Sequence, residues 1–353
     1  MPRLKIAAFN AEWMTNLFVG NEAKIFPGKS QKGGLGAKPK DCPGVCRRIA
    51  GVVEDLDCHI VGIVEGPPRK SQMELFAKAF LGNRYKVYSA ESGPQSNHIL
   101  VRDDSPVSVT QVPETDAIYK HLSKKLEYYH WDEVKKATLE KFTRKPAVLR
   151  FKIQGETYEI MLFHTKSQIS KLKRKEQFTS RDKEAIVDAL RSRQKLSAEM
   201  AAVRRYLSHA ILSMRTDGCI LMGDLNDGPH RDIFEESFLI HNIVDELRGG
   251  FEREVALMHH ALPQDYLEPD AELAYSAEFP DPTRDGRIVR TLIDHIMVTT
   301  GIWERTTKLR LIRDAGKVDH QAYANHVVKK GKTRDDRPSD HRPVKAFLQF
   351  QAS

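Results

Sequence analysis

Short apolar runs and amphipathic stretches alternate along the chain without a fixed repeat. Residues 4–9 (LKIAAF) and 59–64 (HIVGIV) read as buried strands. Between them a Gly/Lys/Pro-rich loop at 27–44 precedes a predicted helix from about Val45 to Asp57, with Ile49, Val52, Val53 and Leu56 on one face. A second helix is predicted over 70–81, followed by YKVYSA and NHILVR as hairpin strands. The charged stretch 114–143 reads as a helical insertion whose Tyr128, Tyr129 and Trp131 either pack down or stack on nucleobases. Strands PAVLRFKI and YEIMLFHT come next, then a long helical region over 168–215 with a break near Thr179-Ser180. Strand GCILMGD, amphipathic material at 231–248, a loop-rich region at 262–286, strand TLIDHIMVT and a closing strand VKAFLQF complete the chain. With no composition shift to mark a linker, one domain over 1–353 is expected, with insertions near 114–143, 168–215 and 302–337.

The apolar runs end in polar groups. Asn10 closes LKIAAFN, Glu65 closes HIVGIVE, His164 closes EIMLFH, and Asp224 and Asn226 close ILMGDLN. Asp294 lies inside LIDHIMV, and Asp340-His341 precedes the last strand in PSDHRPV. In CILMGDLNDGP, Gly223 lets the backbone pass close to a neighbour, and the period of two puts Asp224 and Asn226 on one side of an extended chain. Each of these residues has a dull explanation as a turn, a cap or a satisfied core histidine; their recurrence at strand ends does not. The types suit phosphodiester hydrolysis, which needs neutralised phosphoryl oxygens, a deprotonated water and help for the departing alkoxide. Hard oxygens such as those of Glu65 hold Mg2+ or Mn2+, Asp224 can take a proton from water, and imidazoles can hydrogen-bond the phosphoryl group. No zinc-protease spacing, G-x-S-x-G elbow or G-x4-G-K-[ST] loop offers another chemistry.

Composition adds little to fold and something to partners. Among 353 residues, 56 Lys and Arg against 48 Asp and Glu leave a net charge of +8, which favours a polyanionic partner. The four cysteines, Cys42, Cys46, Cys58 and Cys219, are too scattered for a disulfide framework, so reduced thiols are expected. There is no long apolar run to span a membrane, and the interrupted N-terminal stretch reads as a first strand; a cytoplasmic protein without membrane attachment is the expectation.

The ordered pieces KIAAFNAEW, IVGIVEG, FTRKPAVLRF, FHTKS, LMGDLNDGP, LIDHIMV and PSDHRPV resemble the endonuclease/exonuclease/phosphatase (DNase I-like) superfamily over nearly the whole chain, with HTKS most like its bacterial nuclease-type members. The resemblance implies an α/β (α+β) four-layer sandwich of two packed, mostly antiparallel β-sheets flanked by helices, with the site at one end. It implies Glu65 as the main ligand of Mg2+ (or Mn2+), with Asn10 and Asp340 beside it. It further implies His164 against the scissile phosphate, where abasic-site endonucleases typically have tyrosine, Asp224 orienting or deprotonating the attacking water, and Asn226 stabilising the transition state. Asp294 would pair with His341 and fix its tautomer, His341 would contact the phosphoryl oxygen, and Arg144 and Lys166 would touch substrate phosphate. Glu12 departs from the pattern and reads as a second ligand or a surface acid. The implied function is a metal-dependent nuclease, with DNA ahead of RNA as substrate and the basic groups Lys171–Lys175 and Lys329–Arg337 as contacts. The alternatives are a phosphatase or phosphodiesterase on a phosphoinositide, lipid headgroup or small nucleotide, and an inactive nucleic-acid-binding module.

Overall fold

The computed structural model describes residues 1–31, 36, 38–122, 126–168, 170–268 and 273–350. Parts of the predicted 27–44 loop, of the 114–143 and 168–215 insertions and of the 262–286 region therefore lie outside the described residues. Among those described, no helix is long and apolar enough to cross a membrane.

Two sheets carry the fold. In the first, the strands Arg3–Asn10 and Ile60–Gly66 pair in parallel at the centre. Around them Val344–Gln349 joins the first strand, and the hairpin of Tyr85–Ala90 and Ser96–Arg102 joins the second, all antiparallel. The second sheet repeats the plan: Glu156–His164 and Gly218–Asp224 are the parallel pair, flanked by antiparallel Ala147–Ile153 and Asp294–Thr299. The architecture is mixed α/β, with helices on the outer faces of the sheets.

The continuous apolar runs follow from burial on both faces. Leu4, Ile6 and Ala8 of the first strand meet Ile160, Leu162, Ile220 and Met222 of the other sheet in the central layer. The alternate residues, Ala7 and Phe9, face the helices Cys42–Leu56 and Lys70–Phe80 instead. Across the molecule Met161, Phe163, Cys219 and Leu221 face the long helix Lys183–Leu212 and the short Ile243–Arg248. Gly62 marks how closely the sheets approach, since a Cβ there would lie 2.6 Å from Leu162 Cδ1.

The 114–143 stretch is not helical throughout. After one short helix, Ala117–Leu122, it forms the hairpin Leu126–His130 and Glu133–Glu140. The β-branched and aromatic residues of LEYYH and EVKKATLE prefer the pleated surface, and the hairpin rests on the long helix through His130 Nδ1 and Gln194 Oε1, 2.7 Å apart. Tyr129 and Trp131 are 54% and 53% exposed, so packing down holds only for half-buried Tyr128. The hairpin's four acids outnumber its two lysines, which does not favour a nucleic-acid platform. The 168–215 region does break as expected, into Lys175–Thr179 and Lys183–Leu212, with Asp182 capping the latter.

Gly223 sits at φ 132° where the ladder approaches the site, and a Cβ there would lie 2.0 Å from the Phe163 carbonyl oxygen. Gly223→Ala is expected to destabilise the protein by about 3 kcal/mol or more, read from the denaturation midpoint in urea. A change below about 0.5 kcal/mol would show that the backbone there relaxes freely.

Candidate active site

The period of two that builds the central layer also builds the site. Ile220 and Met222, Ile160 and Leu162, and Ile296 and Val298 point between the sheets. Two residues on from Met222 and Leu162, and two before Ile296, the same parity delivers Asp224, His164 and Asp294. They stand side by side on adjacent strands, Asp224 in register with both His164 and Asp294. From the facing sheet Asn10, two on from Ala8, donates Nδ2–H to Asp224 Oδ2 at 2.9 Å and to Glu65 Oε1 at 3.3 Å.

Glu65 has the wrong parity for this cleft, because Val61 and Ile63 face the helices. Its strand's register with Ser96–Arg102 slips between Ile63 and Gly66, and Glu65 takes φ 54°. This bulge turns the carboxylate into the cleft. There Oε2 accepts the Trp13 N–H and the Gln95 Nε2–H, both at 2.8 Å. Glu12, Trp13 and Asn226 also have positive φ, so left-handed backbone gathers at these strand ends.

Asn226 is reached differently from the sequence expectation. The strand ends at Asp224, and Asn226 at φ 53° is no longer extended. Its N–H donates to Asp224 Oδ1 at 2.8 Å and its side-chain amide to the Thr165 carbonyl at 3.3 Å. A turn, not strand alternation, keeps it beside Asp224.

His341 Nδ1 and Asp294 Oδ2 lie 2.7 Å apart. Ser339 ties this corner to the first strand, accepting the His341 N–H at 3.0 Å and donating to the Asn10 carbonyl at 2.6 Å. Burial alone would lower the His341 pKa, but the charge and hydrogen bond of Asp294, then Asp224 and Asp340, raise it well above the usual imidazole value. His164 goes the other way: burial, then the positive charges of Arg144 and His341, drive its pKa far down. One imidazole is thus cationic and the other neutral. His164 lines the cleft floor, its Nε2 3.7 Å from Asp224 Oδ2 and 3.8 Å from Glu65 Oε1. Burial, then the neighbouring Asp294, raises Asp224 to about 7, and burial, then Asp340, raises Glu65.

Three N–H groups of Arg144 are held by the protein. Nε and Nη2 donate to Gln95 Oε1 at 2.9 and 2.6 Å, and Nη1 donates to the Thr165 carbonyl at 3.0 Å. Gln95, 2% exposed and bridging Arg144 to Glu65, is absent from the sequence-based set; it lies in a polar turn with no pattern to single it out. Lys166 Nζ donates to the Ser167 carbonyl at 2.5 Å, and half-buried Asp340 faces Glu65 and His341.

Other expected contacts have other employment. Glu12 is no surface acid: it is buried, and its carboxylate takes Arg337 at 2.8 and 3.1 Å and lies 3.6 Å from Arg334. Arg334 is buried and donates to the carbonyls of Ala11, Glu12, Arg337 and Pro338, so it and Arg337 brace the loop after the first strand. Lys329 pairs with Asp336, Lys171 with Glu184 and Lys175 with Asp285. The exposed Lys171–Glu184 and Lys175–Asp285 pairs can exchange for phosphate; buried Arg334 cannot.

Asp224, Asp294 and His341 each bring one possible ligand atom within 4.8 Å of the others. The His341 cation already answers one of the two acids there, Asp294. Glu65 and Asp340 offer instead an oxygen-only pair, the donor type of Mg2+ or Mn2+, and their mutual repulsion is what such a cation relieves.

The arrangement of two sheets with a polar cleft at one end has solved counterparts. An endonuclease/exonuclease/phosphatase family protein from Bacteroides thetaiotaomicron superposes with a TM-score of 0.50 at 15% identity, covering 99% of each chain. TDP2 from Caenorhabditis elegans superposes with a TM-score of 0.52 at 13% identity, covering 99% of this chain and 75% of that one. The chain has the endonuclease/exonuclease/phosphatase fold. At these identities the likeness concerns the fold alone. No protein-family model and no curated protein matches the sequence. Within this fold Asn10, Glu65, His164, Asp224 and Asp294 lie at strand ends on both sheets.

Proposed function

We propose that the protein is a divalent-metal-dependent phosphodiesterase that cuts nucleic acid, DNA before RNA. The observation that carries this reading is the convergence of Asp224, with its pKa raised to about 7, and the His341–Asp294 pair on one cleft that also holds Glu65 and Asn10. A base titrating near neutrality can take a proton from water and is mostly ionised by pH 8. His341, with Nδ1 committed to Asp294, keeps its Nε2–H for a phosphoryl oxygen, and its positive charge meets the charge that develops there. Asn226, fixed against Asp224 and Thr165, supplies a further amide beside the reacting centre, and Arg144 retains two uncommitted N–H groups for the phosphate. His164, neutral and buried, has its Nε2 within 3.8 Å of both Glu65 and Asp224. Glu65, with Asn10 and Asp340, would hold the metal, which when bound neutralises charge on the phosphate. The net charge of +8 supports a polyanionic substrate.

The test is cleavage of labelled single- and double-stranded DNA and RNA with Mg2+ or Mn2+, with EDTA and Asp224→Ala as controls. Cutting that EDTA abolishes and Mg2+ restores is expected, with activity falling as pH drops through about 7 or below, since a bound cation lowers the Asp224 pKa. Turnover only of small phosphoesters or phosphoinositide micelles would replace the nuclease reading. Nucleic-acid binding without any turnover would mark an inactive module.

A further inference from the structure

The long helix Lys183–Leu212 lays an apolar stripe of Leu196, Met200, Val203 and Tyr206 on the second sheet, and one carboxylate stands in that stripe. Glu199 has no exposed surface, and burial raises its pKa. A dry carboxylate persists where both oxygens are hydrogen-bonded. Glu199 Oε1 accepts the Thr143 N–H at 2.6 Å, and Oε2 accepts the Lys166 N–H at 2.9 Å. These two amides belong to the loops that carry Arg144 and Lys166. Thr143 is the residue before Arg144, and Thr165, the residue before Lys166, accepts from Arg144 Nη1 at 3.0 Å. Arg144, Thr165, Lys166, Glu199 and Thr143 thus close a ring of hydrogen bonds and peptide links, with the helix as its rigid side. Arg193, on the same helix, extends the grip to Gln168 at 3.0 Å.

We propose that Glu199 is a positioning residue that locks the 143–145 and 165–167 loops into one frame, so that Arg144 and Lys166 meet the same substrate phosphate. This rests on the phosphodiesterase reading. The insertion that contains the helix then acts on substrate through the loops it holds. A bond to two backbone amides fixes position without consuming either cation, which the Arg–carboxylate pairs at Glu12 do not achieve.

The experiment compares Glu199→Gln and Glu199→Ala with the parent, and repeats both changes in an Arg144→Ala/Lys166→Ala background. The full chain is used, with a labelled DNA oligonucleotide and Mg2+. Both cations bind phosphate in ground state and transition state alike, so loosening them should raise KM about tenfold or more and change kcat less. Glu199→Gln keeps one acceptor and should fall between parent and Glu199→Ala. In the double background the same changes should move KM less than about twofold, because the groups they act through are gone. An unchanged KM in folded variants, an equal KM factor in both backgrounds, or loss of folding in both Glu199 variants would each overturn the proposal. Amide exchange at Thr143 and Lys166 supplies a readout independent of turnover: it should accelerate in Glu199→Ala while the rest of the sheet stays protected, and unchanged exchange overturns the clamp. A parent that cuts no phosphoester defeats the functional reading and leaves the clamp to be decided by exchange.

Discussion

Asp224→Ala is expected to lower kcat by about a thousandfold while the protein stays folded. The loss follows from geometry: Asp224 is the carboxylate on which Asn10, the Asn226 turn and the neighbouring His164 and Asp294 strands converge. Retention of the fold follows from the direction of its pKa. Burial raises the folded value to about 7, above the 3.8 of a free aspartate, so its contribution to stability is fully present below about pH 4 and is lost as pH rises through about 7. At pH 8 the substitution therefore removes an ionised group that the metal-free fold penalises. Thermal midpoints of metal-free parent and variant at pH 5 and 8, beside single-turnover rates with Mg2+, check both halves. A variant that turns over within tenfold of the parent would remove Asp224 from the role of base.

Asp294→Asn should slow turnover about a hundredfold at pH 8 and move the whole pH–rate profile to lower pH. The shift comes from two groups at once. Without the Asp294 charge and hydrogen bond, burial is opposed only by Asp224 and Asp340 and the His341 pKa falls, so the imidazolium is lost at lower pH than in the parent. Asp224 loses the neighbour that ranks after burial in raising its pKa, so the base also ionises at lower pH. Acidic and alkaline limbs consequently move in the same direction, and part of the lost rate returns as pH is lowered. Rates measured from pH 5 to 9 decide it; limbs that stay where the parent has them would show that Asp294 only packs. The amide keeps an oxygen to accept from His341 Nδ1, so the ring remains oriented and the effect is one of charge.

Most of the strand pattern was legible because burial on both sheet faces leaves a direct trace, the continuous apolar run. LKIAAF, HIVGIV and GCILMGD fall where the structure has Arg3–Asn10, Ile60–Gly66 and Gly218–Asp224. The hairpin within 114–143 is not legible in the sequence because charged residues spaced among aromatics carry no clear period, while pairing of the two strands requires only that they meet. The buried acid among Leu196, Met200 and Val203 was a visible signal for Glu199, since an apolar helical stripe rarely admits a carboxylate without partners.

The sequence alone determined which side chains reach the cleft by alternation. Asn10, His164, Asp224 and Asp294 inherit the parity of the residues that pack between the sheets, and parity is a local property of an extended chain. Only the tertiary structure decided the rest. Glu65 has the opposite parity and enters through a bulge, Asn226 through a left-handed turn, and Gln95 and Glu199 through hydrogen bonds to partners distant in sequence. Glu12 ends in the grip of arginines more than 300 positions away. Such placements depend on where two sheets and a helix come to rest against one another, and no local period encodes that.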